Sequence, residues 1–193
     1  MTDEDFIPEV HEEPSEYLNL DEEKEYKVRV LSPIIEGYEG WVETMIEGKK
    51  KRIPKRFRTF KESEAVEFSP SKYDNPDQPV KAKAFWAMIV WNYELEVLQV
   101  WQPTQKTIQK KLRAFAIHPD WGHLRNYDLT ITRINNQPVE YSIVQSPPKP
   151  VKEEILETYL RINPDLSLLF SGGHPISKRN PSNFTEEKSK VPF

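Results

Sequence analysis

The chain has 193 residues, enough for one domain of ordinary size, with 37% hydrophobic residues, 30% charged residues and a mean hydropathy of −0.72. Five Trp, eight Tyr and nine Phe argue against a chain disordered throughout, and zero cysteines exclude disulfides, thiol catalysis, cysteine-ligated zinc and iron–sulfur clusters. The net charge of −4 hides a segregation: residues 1–25 carry eleven acids against Lys24 alone, whereas 49–61 carry eight bases and no acid.

In chain order, residues 1–16 read as a disordered acidic leader with Pro8 and Pro14 and little apolar material. The acidic start Met1-Thr2-Asp3-Glu4-Asp5 is unlike a secretory signal, and no apolar run of roughly 18 residues exists to cross a membrane. The absence of cysteine fits a cytoplasmic location. Glu25 to Leu31 alternates, Tyr26, Val28 and Val30 on one side, Lys27 and Arg29 on the other, and predicts a half-buried strand ended by Ser32-Pro33. Gly37 and Gly40 read as bracketing a turn, with Trp41 to Ile46 as a second strand. Residues 47–80 hold the basic run, several prolines and scattered aromatics, and read as a long functional excursion or mobile loop.

Lys83 to Trp91 is apolar on both faces, Asn92-Tyr93-Glu94 reads as a hairpin turn, and Leu95 to Trp101 as the returning strand. Thr104 is the expected N-cap of a helix with Ile108, Leu112 and Phe115 inward and Lys106, Lys110 and Arg113 as a basic stripe. That helix ends before His118-Pro119-Asp120-Trp121-Gly122. Tyr127 to Arg133 and Val139 to Val144 read as the last hairpin, Lys152–Ile162 as an amphipathic helix with Ile155, Tyr159 and Ile162 inward, and 171–193 as a flexible tail. This order predicts a mostly β fold with accessory helices. An oligonucleotide-binding (OB)-like Greek-key barrel of five to six strands, with one helix before the last hairpin, would occupy residues 17–170. A doubly wound α/β sheet lacks the helices it would need between strands.

Cations interleave with rings at Tyr38 and Trp41, through Lys49, Lys50, Lys51, Arg52, Lys55, Arg56, Phe57, Arg58 and Phe60, and again at Lys83, Phe85 and Trp91. Single-stranded nucleic acid needs this mixture, because cations follow phosphates while rings stack on unpaired bases. Strand parity assigns Ala82, Ala84, Trp86, Met88 and Val90 to the core face and Lys81, Lys83, Phe85, Trp91 and Tyr93 to the ligand face, with Phe85 and Trp91 as the stacking rings. Three other readings compete. One is an RNA-binding regulator on the same barrel, another a protein–protein interaction module whose basic loop meets an acidic protein, and the third a solvated loop over core aromatics. The nucleotide-binding and hydrolase motifs GxxxxGK[ST], HExxH and GxSxG are missing, so a non-enzymatic protein without a cofactor is expected. His118, Asp120 and His123, with Asp128 and Glu140 downstream, match no metal-site spacing and read as a turn. The acidic leader reads either as a polyanion mimic competing for the basic run or as a solubilising tail.

Several of these segments resemble bacteriophage single-stranded DNA-binding proteins with an OB fold. They are Lys27-Val28-Arg29-Val30-Leu31-Ser32-Pro33 with Gly37-Tyr38 and Trp41, Phe85-Trp86 and Val90-Trp91-Asn92, Gln102 with Gln105-Lys106-Thr107-Ile108, Trp121-Gly122, Tyr127 to Arg133, and Glu140-Tyr141-Ser142. The resemblance spans roughly residues 17–160. It implies coating of single-stranded DNA during phage replication, recombination or repair, in the host cytoplasm. A T-even phage protein of this class carries zinc, which is not expected in a chain without cysteine. The ending Val191-Pro192-Phe193 is similar to the Pro-Phe tip of bacterial single-stranded DNA-binding proteins. It implies that Pro192 and Phe193 dock on replication or recombination partners, although Lys188 and Lys190 offset the acids such tips carry.

Overall fold

The structure, a computed structural model, describes residues 14–71, 74–75, 77–135 and 138–176. Seven strands, β1 (Glu25–Val30), β2 (Ile35–Ile46), β3 (Lys49–Phe57), β4 (Lys83–Asn92), β5 (Val97–Trp101), β6 (Asp128–Ile134) and β7 (Glu140–Gln145), pair antiparallel in one open sheet. The helices are α1 (Phe60–Ser63), α2 (Lys106–Ile117) and α3 (Glu153–Ile162), with 3₁₀ turns at Leu124–Asn126 and Leu166–Ser171. The fold is mostly β, as expected, and α2 lies between β5 and the last hairpin.

Strand β4 organises the sheet. One of its edges carries β1 and then β2, with Val30 opposite Val90 and Ile35 opposite Ala87. Its other edge carries β5 from Met88 to Asn92. The Ser32-Pro33 break between β1 and β2 is bridged by the buried Ser32 hydroxyl, which accepts the Ile89 amide at 2.8 Å.

Two sequence expectations fail in the same region. Gly37 and Gly40 lie inside β2, not around a turn. Rings explain them: a Cβ at Gly37 would sit 2.7 Å from Phe170, and one at Gly40 2.2 Å from Phe68. The basic run is not a loop but β3, paired with β2 residue for residue from Tyr38↔Phe57 to Ile46↔Lys49. Glu47 and Gly48 close this hairpin with φ of 52° and 75°, as a two-residue hairpin turn of the primed type requires. Pro54 is tolerated because β3 is an edge strand. This strand brings the count to seven where five to six were expected.

The central strands of the sheet are buried on both faces. On one, Tyr26, Val28, Val30, Met88, Val90, Leu129 and Ile131 pack against Ile108 and Leu112 of α2. On the other, Phe85, Ala87 and Ile89 are roofed by Ile155 of α3 and by Leu166 and Leu169. The α2 N-cap is Gln105, without a side-chain cap bond, where Thr104 was expected. Lys27 faces solvent as its parity demands, but Arg29 is only 1% exposed. It is drawn in by Asp128, whose Oδ1 lies 2.7 Å from Nη1, and its Nε donates to the Arg125 carbonyl at 3.1 Å. Among the described residues, no helix is long and apolar enough to cross a membrane.

Candidate nucleic-acid interface

The β2–β3 hairpin outruns its support. Strand β4 pairs with β2 only from Ile35 to Glu39, whereas the pairing of β2 with β3 runs on to Ile46. Beyond Glu39 the exposed edge of β2 is met by Ser69, whose amide donates to the Trp41 carbonyl at 2.7 Å and whose hydroxyl accepts the Glu43 amide at 3.0 Å. The result is a two-stranded arm, and alternation gives it two faces.

Cross-strand register puts Glu39 with Arg56, Trp41 with Pro54, Glu43 with Arg52 and Met45 with Lys50 on the first face. Lys83 joins it, because it stands opposite Glu39 across the β2–β4 pair. Trp41 is 42% exposed, and the Arg52 guanidinium lies 5.8 Å from its ring centre. Arg52 also donates to the Ser69 carbonyl at 2.8 Å, which fixes the cation beside the ring. Lys83 Nζ lies 3.3 Å from Asp74, which accepts the Ser71 amide at 2.7 Å. Hydrogen bonds from Ser71, helped by Lys83, hold the Asp74 carboxyl down at about 2. Trp41, Arg52, Lys81 and Lys83 line a groove of about 350 Å³ together with Glu39, Asp74, Ser69 and Thr104.

The second face carries Lys49, Lys51, Ile53 and Lys55, all exposed. Among the described residues, no carboxylate pairs with Lys49, Lys51 or Lys55. On the first face, Lys50 has only a loose, exposed pair with Glu43 at 3.7 Å.

The other expected site residues divide. Arg56 belongs to the scaffold: its Nε lies 2.7 Å from Glu39, both side chains are about nine-tenths buried, and Gln102 bonds to both. Tyr38 and Phe57 meet Phe60 and Phe68 edge-on, at 5.5 and 6.1 Å, and form an aromatic seam at the root of the arm. The Arg58 guanidinium lies 4.5 Å from the Phe170 ring.

Phe85 corrects the expected ligand face. It is fully buried, with Phe170 at 6.1 Å, so it offers no ring to a base. Trp91 is half-buried against the same core. Parity did choose the face shared by Lys83, Trp41 and Arg52, but α3 and Leu166–Ser171 roof its other half. Sequence reasoning missed Ser69 and Asp74, which had no local signal, whereas Lys81 lines the groove on the face that the alternation gave it.

Pro192 and Phe193, and most of the acidic leader, lie outside the described residues. His118 lies 3.9 Å from Asp120, and Asp128 is engaged by Arg29 and by Lys149 at 2.7 Å. Among the described residues, no three His, Asp or Glu side chains gather as a metal site would require. No protein-family model matches the sequence, and neither a curated protein nor a solved structure matches it.

Proposed function

We propose that this protein binds and coats single-stranded DNA with little sequence preference, without catalysis, in phage replication, recombination or repair. The observation that carries the reading is the exposed Trp41 ring, lining one groove with Arg52 and Lys83, on an arm whose Lys49, Lys51 and Lys55 have no carboxylate partner among the described residues. A partly exposed ring can stack on an unpaired base, worth about 1–3 kcal/mol, while neighbouring cations track the phosphates. A two-stranded arm can also enter a duplex groove, so a duplex of matched length is the comparison that tests the single-strand reading. The OB-like reading of the sheet draws support from the antiparallel strands and from the place of α2 before the last hairpin. Replication or recombination proteins are the partners proposed for Pro192 and Phe193.

The test is a salt titration of affinity for an oligo-dT, an oligo-rU and a duplex of matched length. With four to six phosphates neutralised, log K for oligo-dT falls against log salt with a slope of roughly −3 to −4. The duplex binds more weakly throughout. Equal affinity for duplex and oligo-dT would contradict the proposal, and a strong preference for oligo-rU would favour the RNA-binding reading.

A further inference from the structure

The N-terminal strap enters the structure at the root of the basic arm. Pro14 is the first described residue, and the Tyr17 ring stands 5.9 Å from the Arg56 guanidinium. The strap is fixed there: Tyr17 bridges to Val100 at the outer edge of β5, and the Ser15 and Tyr17 carbonyls accept from the buried Gln99 amide at 2.8 and 3.3 Å. The Glu16 carboxylate accepts the Ile176 amide at 2.8 Å and lies 2.9 Å from His174, so the C-terminal segment leaves from the same place.

Upstream of this anchor, residues 1–13 hold Asp3, Glu4, Asp5, Glu9, Glu12 and Glu13, with no Lys or Arg. Extended, that segment reaches up to about 43 Å, whereas β3 runs only about 26 Å from Phe57 to Lys49 at roughly 3.3 Å per residue. Lys49, Lys51 and Lys55 lie within this span, without a carboxylate partner among the described residues. A polyanion tethered at the root of the arm meets these lysines at an effective concentration in the millimolar range. The segment leaving Ile176 is not their complement, since it opens with Lys178 and Arg179.

We infer that residues 1–13 occupy the basic arm of their own chain when no nucleic acid is bound, and that a nucleic acid must displace them. The contact rests on charge and tether; its regulatory consequence rests on reading the arm as a nucleic-acid site.

Carbodiimide coupling of carboxylates to lysine amines, on the dilute full-length chain, tests the contact. Links from Glu9, Glu12 or Glu13 to Lys49, Lys51 or Lys55 are expected within the monomer at about 0.05 M salt and lost at about 0.5 M. Links confined to Lys178, Lys188 and Lys190, or none, would overturn the contact. The full-length variant D3N/E4Q/D5N/E9Q/E12Q/E13Q tests the consequence. It is expected to bind oligo-dT about fivefold more tightly than the unaltered chain at about 0.05 M salt and equally at about 0.5 M. Equal affinity at low salt would overturn the displacement. Arm links without oligonucleotide binding in either protein would uphold the contact and overturn the single-strand reading instead.

Discussion

Arg29 and Asp128 meet at 2.7 Å with each side chain only 1% exposed, joining β1 to the first residue of β6. Tyr93 donates to the same carboxylate at 2.9 Å, and Lys149 lies 2.7 Å from its other oxygen. Removing one partner of such a pair strands the other as an uncompensated buried charge. D128A is expected to lose about 3–5 kcal/mol, read as a melting temperature lower by about 10 °C. The control D120N, at an exposed position, leaves the melting temperature unchanged.

The same cluster sets a pH dependence. Burial pushes the Asp128 carboxyl up, but hydrogen bonds from Lys149, Arg29 and Tyr93 outweigh it and hold the group below the ordinary carboxylate range. Its contribution is therefore complete above about pH 4 and is lost as pH falls through that value and the lower folded one. Tyr93 is the opposite case. Burial, with the adjacent Asp128 carboxylate, pushes its phenol up to about 12, so the stability it supplies is lost as pH rises from about 10 toward that value. Denaturant titrations at pH 3 to 7 are expected to show a steeper acid loss in the unaltered chain than in D128N. Phenolate absorbance between about pH 10 and 12 is expected to lose its last-titrating tyrosine in Y93F.

Gly40 is a packing requirement rather than a turn. A methyl there would stand 2.2 Å from the Phe68 ring, which covers the root of the arm. G40A is expected to cost about 1–3 kcal/mol by overpacking, measured by thermal melting. Adding F68L to G40A recovers part of that loss.

What the sequence revealed followed from local periodicity. Tyr26, Val28 and Val30, the apolar run of β4, and Ile108 with Leu112 were legible because alternation or helical spacing marks a buried face without knowledge of the partner. What it concealed depended on partners far along the chain. Gly37 and Gly40 look like turn residues until Phe170 and Phe68 are placed over them. Arg29 looks solvent-facing until Asp128 is beneath it. Residues 49–57 look like a loop because cations and Pro54 dominate the strand, and only pairing with β2 makes it one. At the candidate site, Trp41, Arg52 and Lys83 were legible as ring and charge, but the roof over Phe85 comes from helices more than sixty residues downstream.

The lysines of the second arm face are expected to contribute charge and little else. K49Q/K51Q/K55Q, at exposed positions without carboxylate partners among the described residues, leaves the melting temperature within about 1 °C. It reduces the magnitude of the salt slope for oligo-dT by about 2, since each lost phosphate contact on a single strand removes roughly 0.7.

Tryptophan emission during titration with oligo-dT and with a matched duplex, in the unaltered chain and in W41F, tests the central claim most directly. Trp41 is the most exposed indole, and Trp101 is buried. Oligo-dT is expected to quench the unaltered chain strongly, the duplex to quench it little, and W41F to lose most of the signal and to bind more weakly. Quenching as deep in W41F as in the unaltered chain, with unchanged affinity, would contradict the account.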